Sequence, residues 1–205
     1  MEKLRCIAIK NLKMELLPHL ILTILIVFVT PAVFSLKNLD EQLAAIPLET
    51  IISLSGIILL VPLFFPEKEP ALLDIMYTKT TSLLYVFTIR AVYSILLVLL
   101  IPAVFQGVLY LLNSEVTLTQ YLGTVSGALF MGATGMLCFA VTNNIAAAYM
   151  IPVIWYVMCM GAGDKMGRLD VLMMTHGHLD EKYLQMGLGV LMILLAVAVK
   201  SRHRQ

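Results

Sequence analysis

An all-α integral membrane fold with six transmembrane helices is the architecture this sequence predicts, and three observations predict it. Hydrophobic residues make up 60% of the chain and charged ones 13%, with a mean hydropathy of +0.92, far outside what a water-soluble domain tolerates. Six apolar segments approach the roughly 20 residues that a helix needs to cross a hydrocarbon core about 30 Å thick. Lysine and arginine, finally, gather on alternate connections between those segments. The whole chain, 1–205, reads as one transmembrane domain. A net charge of +1 excludes a nucleic-acid binder, since no field is available to gather phosphates. Three cysteines, Cys6, Cys138 and Cys159, two of them inside apolar runs, offer neither a disulfide framework nor a paired metal motif.

Residues 1–15 are too charged to enter the bilayer, yet they have a helical pattern. At 100° per residue Met1, Leu4, Ile7, Ala8, Leu12 and Met14 share one side, and Glu2, Lys3, Arg5, Lys10 and Lys13 the other. Glu15 and Ile9 fall on the wrong faces; the pattern predicts an amphipathic leader lying in the headgroup layer, its basic face toward anionic lipid, with a solvated basic leader that only fixes topology as the alternative. No small-residue cleavage site follows the first apolar run, so that run is expected to stay in the mature protein.

The predicted spans are 16–36, 50–65, 90–112, 121–141, 145–163 and 182–199. Residues 116–163 hold no Asp, Glu, Lys or Arg, a run too long for one crossing. It divides at Thr142, Asn143 and Asn144, because Asn tolerates the left-handed conformation a tight turn needs. Pro31, Pro62, Pro102 and Pro152 are expected to kink or end their helices. In the fourth span Gly123-x-x-x-Gly127 and Ala128-x-x-x-Gly132 allow close helix approach, and packing within the chain is expected ahead of a dimer seam. Thr30, Ser53, Ser55, Gln106, Thr134 and Tyr149 are open either to lining a substrate path or to bonding their own helix backbone.

Orientation follows from the cations. Lys3, Arg5, Lys10, Lys13, Lys68, Lys79, Arg90, Lys200, Arg202 and Arg204 fall on one side of a six-span topology, and only Lys37, Lys165, Arg168 and Lys182 on the other. Both termini and the connection after span two are therefore expected in the cytoplasm.

That connection, 66–82, is a polar island between long apolar stretches. Pro70 suits a first helical turn, Glu67 and Glu69 put negative charge where the helix dipole favours it, and Leu72, Leu73, Ile75 and Met76 make an apolar stripe. A short helix of this kind must cover its stripe, with its own spans or with a partner. The spans themselves are expected to hold no ionisable group at depth, because His19 and Glu49 fall near span ends where water is in reach. No G-x-x-x-x-G-K-[ST] loop is present, so P-loop nucleotide hydrolysis is not expected of this chain.

The order of basic leader, six spans, acidic island after span two, tight turn after span four and polar segment before span six resembles the membrane subunits of type-2 ABC transporters, the ABC-2 permeases. Glu67 and Glu69 match that family's E-x-E element, Leu73-Asp74 resembles its Leu-Glu pair, and Ser82 stands at its serine. Ala71, Leu72 and Thr80 depart from its usual glycine, threonine and proline. The resemblance implies an exporter subunit without enzymatic activity of its own, in the plasma or inner membrane of a bacterium. It implies a coupling helix in which Glu67, Glu69, Leu73, Asp74 and Met76 contact or orient a separate ATP-binding subunit, with Thr142, Asn143 and Asn144 as the lesser contact. A second permease chain, the same or related, would complete a homodimer or heterodimer. ATP and magnesium would belong to the ATP-binding subunit, and no cofactor to this chain.

The polar segment 164–181 contains Thr175-His176-Gly177-His178-Leu179-Asp180, whose spacing resembles the H-x-H-x-D metal element of metallo-β-lactamase-type hydrolases. Glu181 occupies the place of a further histidine, and other ligand residues are few, so no metal is expected. An outer re-entrant or surface turn is the expected structure. The alternative function is a membrane enzyme, or a sensor or immunity protein, with its site at His176, His178, Asp180 and Glu181.

Overall fold

The computed structural model describes residues 17–68, 83–177 and 182–202, and these are helical throughout apart from short turns. The helices are α1 (Leu17–Val33), α2 (Glu41–Thr50), α3 (Ser55–Leu60), α4 (Leu83–Leu111), α5 (Leu118–Thr142), α6 (Ile145–Ala162) and α7 (Tyr183–Arg202). Five stretches are long and apolar enough to cross a membrane: Glu41–Phe65, Phe87–Leu111, Leu118–Thr142, Ile145–Ala162 and Tyr183–Lys200. Leu17–Val33 is a shorter apolar helix.

The second crossing differs from the sequence expectation in both extent and regularity. It starts at Glu41 instead of residue 50, because the polar residues before Thr50 find partners inside the bundle. It is also broken, with 3-10 turns at Ile52–Leu54 and Val61–Lys68 on either side of α3. Pro47 and Pro62 lie in this stretch, and each lacks the N–H that a regular helix would donate to the preceding turn. The carbonyl of Thr50, at the first break, accepts instead from Tyr156 Oη at 2.8 Å.

α5 and the broken second crossing form the centre. Of their most apolar windows 78% and 72% is buried, against 22% to 28% for the windows in α4, α6 and α7. Close approach makes this possible: a Cβ on Gly56 would lie 1.9 Å from the Ala128 carbonyl oxygen, and one on Gly132 would lie 2.4 Å from that of Gly56. The glycines of α5 thus pack α3 against it within the chain. Around this centre the outer helices turn large apolar side chains outward, Phe28 of α1 and Leu111 of α4 each 80% exposed. α5 begins with a capping box, Thr117 Oγ1 accepting from Gln120 N while Gln120 Oε1 accepts from Thr117 N. The Gln120 amide then donates to the Glu41 carbonyl at 2.6 Å and ties α2 to α5.

The bundle has two ends. At one, Leu36 and Leu39 bond Ser114, and Glu41 and Glu49 sit near Gln120 and Lys182. At the other, His19 meets Phe65 at 6.5 Å, Phe65 meets Phe139 at 5.2 Å, and Lys200 bonds Asn143.

Candidate functional site

The Glu49 end holds a buried polar core that sequence reasoning missed. Glu49 lies eight residues past Glu41, about 12 Å along a helix rising 1.5 Å per residue, and is 0% exposed. Its carboxylate accepts from four directions. Oε1 takes the Met174 N–H at 2.8 Å and the Lys182 ammonium; Oε2 takes the Thr175 N–H at 2.7 Å and the Thr175 hydroxyl at 2.6 Å. Lys182, 2% exposed, also donates to the Val171 carbonyl at 2.8 Å. Glu49, expected to reach water near a span end, is instead buried inside the bundle. Snorkelling is not how Glu49 is accommodated; an ion pair and backbone donors neutralise it in place.

Two of the three residues that bond Glu49, Met174 and Thr175, come from one segment. After the 3-10 turn Gly163–Leu169, residues 170–177 fold back into the bundle instead of lying on its surface. Val171, Leu172, Met173 and Met174 are buried. Gly123 of α5 leaves room for them, since a Cβ there would meet Met174 Sδ at 2.4 Å, whereas one on Gly127 would be in ordinary contact with Val171 Cγ1 at 3.5 Å. Asp170 turns the chain inward: its Oδ1 accepts the Leu172 N–H at 2.9 Å, and its carbonyl accepts from Gln185 Nε2 at 2.5 Å. His176 Nε2 stands 3.8 Å from Asp170 Oδ2. Of the proposed metal element only His176 and Gly177 are described, and His178, Asp180 and Glu181 lie outside the described residues. Among the described residues no group of three His, Cys, Asp or Glu is placed to hold a metal ion.

The opposite end carries the predicted partner contacts that can be described. Thr142, Asn143 and Asn144 are exposed. Asn143 takes the left-handed conformation, φ 51°, that caps α5, and Asn144 Oδ1 accepts from Ala146 N at 2.9 Å to start α6. Lys200 of α7 bonds Asn143 Oδ1 and stands 5.1 Å from the Phe139 ring centroid and 5.9 Å from that of Phe64. Arg90 is buried and donates to the Leu63 carbonyl at 3.4 Å. Glu67 falls in the 3-10 segment that ends at Lys68. Glu69, Leu73, Asp74 and Met76 lie outside the described residues, as does the leader at 1–15.

Of the candidate path-lining residues, Thr30, Ser53 and Thr134 bond carbonyls of their own segment, Ile26, Leu48 and Phe130. Gln106 donates to the Thr117 carbonyl at 3.3 Å, and Tyr149 packs on Phe65. Comparison of the chain with protein-family models, with curated proteins and with solved structures finds no match. The molecule is, then, an all-α bundle with five apolar helices long enough to span a membrane, a buried ion pair near one end and a cation held on aromatic rings at the other.

Proposed function

We propose that the chain is the membrane-spanning permease subunit of an ABC export complex, working with a separate ATP-binding subunit and a second permease chain. The observation that carries this reading is the grouping at one end of the bundle. There the 3-10 segment leading into the island ends at Lys68, beside the exposed Thr142–Asn144 turn and the last turns of α7. The point where the described chain leaves for the island and the turn thus lie at one end of the bundle, where a single partner would act on several helices at once. The Lys and Arg bias supports a cytoplasmic position for that face and for both termini, with six crossings counting Leu17–Val33.

On this reading Glu67, Glu69, Leu73, Asp74 and Met76 dock the ATP-binding subunit, which supplies ATP and magnesium chemistry. The Glu49–Lys182 pair is internally neutral and offers no net charge to hold an ionic cargo. An amphipathic compound or peptide is the substrate class that fits. The bilayer is that of a bacterial cell.

Affinity purification of the full chain in mild detergent, followed by an ATPase assay, tests the reading. Recovery of a P-loop ATPase with measurable hydrolysis is expected. A chain that elutes alone and inactive overturns it. Function lost in His176→Ala would then favour the enzyme or sensor reading at the outer segment.

A further inference from the structure

We propose that Lys182 and Gln185 form a binding site for one fixed water molecule, bridging the Lys182 ammonium and the Gln185 side-chain carbonyl at the Glu49 end of the bundle. The site does not rest on the permease reading.

Hydrogen-bond accounting leads to it. A lysine ammonium carries three donors, and a glutamine side chain two donors and one carbonyl oxygen. Lys182 is 2% exposed and Gln185 0%. Lys182 Nζ donates to Glu49 Oε1 and to the Val171 carbonyl, which leaves its third donor without an acceptor among the described residues. Gln185 Nε2 donates to the Asp170 carbonyl at 2.5 Å and to that of Arg168 at 3.4 Å. Its Oε1 is buried and accepts from no donor among the described residues. Turning the amide over does not help, because Oε1 would then face the Asp170 and Arg168 carbonyls, acceptor against acceptor. A buried oxygen left bare costs about 1–3 kcal/mol, and folded proteins rarely tolerate one.

The open donor and the open acceptor are neighbours. Lys182 precedes α7 by one residue and Gln185 lies in its first turn, three positions on, so the two share a face. Their heads end on the carbonyls of consecutive residues, Val171 and Asp170, whose Cα atoms are about 3.8 Å apart. One bridging molecule spans such a gap. A cleft of about 10 Å³ between α5 and α7, lined by Lys182 with Gly123, Ser126 and Met186, reaches the same lysine. It has room for about one water and is the approach to the site, which Gln185 closes on the other side.

The identity of the occupant follows from the two groups. It must accept from an ammonium and donate to an amide oxygen. A metal cation does neither and is repelled by Lys182; an anion has nothing to donate and meets the Glu49 carboxylate beside the same ammonium. Water does both. With it Lys182 has three acceptors, the full complement of a charged ammonium, which is what a buried ion pair needs to keep its cation.

Hydroxyl-radical footprinting of the full chain tests the site, since an X-ray pulse turns ordered water into radicals that oxidise the adjoining side chain. Met173 is the reporter: it is 5% exposed, and its Sδ lies 3.9 Å from Gln185 Nε2. Met136 in α5, 0% exposed, is the reference. Met173 should be oxidised faster than Met136 in the parent, and the excess should be lost in Gln185→Leu, which offers no acceptor. Equal rates in the parent, or an excess that survives Gln185→Leu, overturn the proposal. Should that variant fail to fold, a density map of the parent that resolves ordered water decides. A peak about 2.7–3.2 Å from both Lys182 Nζ and Gln185 Oε1 is expected. No peak there, with both side chains in place, or a protein donor on Gln185 Oε1, overturns it.

Discussion

Glu49 is a carboxylate that the bundle must neutralise, and the way it does so sets the effect of each substitution. Glu49→Ala leaves the Lys182 ammonium buried without its counter-charge and removes the acceptor of Met174 N and Thr175 N. It is expected to cost about 3–5 kcal/mol, read as a lowered Tm in detergent. Replacing both charges, Glu49→Leu with Lys182→Met, should recover only part of this. The pair's desolvation cost disappears, but each buried N–H left without an acceptor still costs about 1–3 kcal/mol. A double variant as stable as the parent would show that those N–H groups are not held by Glu49. At the other end, Lys200→Met keeps the apolar stem but gives up the Asn143 bond and the stacking on Phe139 and Phe64. The expected loss is about 2 kcal/mol, measured in the same assay.

Among the elements, the junction of α3 with α5 is the least tolerant of change. Gly56→Val must push Ala128 backbone away from a Cβ that starts 1.9 Å from its oxygen. The prediction is a loss of about 3 kcal/mol or of monodisperse protein altogether. Gly187→Val serves as its comparison, because a Cβ there meets nothing within 4 Å, and it should leave Tm unchanged. The apolar segments that became α4, α5, α6 and α7 were legible in the sequence because continuous apolar runs need no tertiary partner to be recognised. α2 was not. Asp40, Glu41 and Glu49 interrupt the apolar run, and Glu49 finds Lys182 only across 133 positions of chain, a separation no periodicity reveals. The buried turn at 170–177 was illegible for a related reason. Val171 to Met174 is too short a run to cross a membrane, and the seat of Met174 depends on Gly123, which reads equally well as part of a helix-packing motif. The Thr142–Asn144 turn could be read, since its geometry is local and Asn143 supplies the positive φ.

As a whole, the molecule is buried at its centre and apolar at its rim, the reverse of what water would stabilise and what a lipid surround fits. Its ends differ. One is closed by a re-entrant segment on an ion pair; the other collects the island's point of departure, the α5–α6 turn and the end of α7. That asymmetry fits the proposed permease, worked by a partner from the end where the island departs. The most direct measurement is the amount of ATP-binding subunit retained by the tagged chain, compared between the parent and a variant carrying Glu67→Lys and Glu69→Lys. A near-stoichiometric ATPase on the parent, lost from the variant while the bundle keeps its Tm, is the predicted result. A parent chain purified without any ATPase, or a variant that retains it in full, would contradict the account.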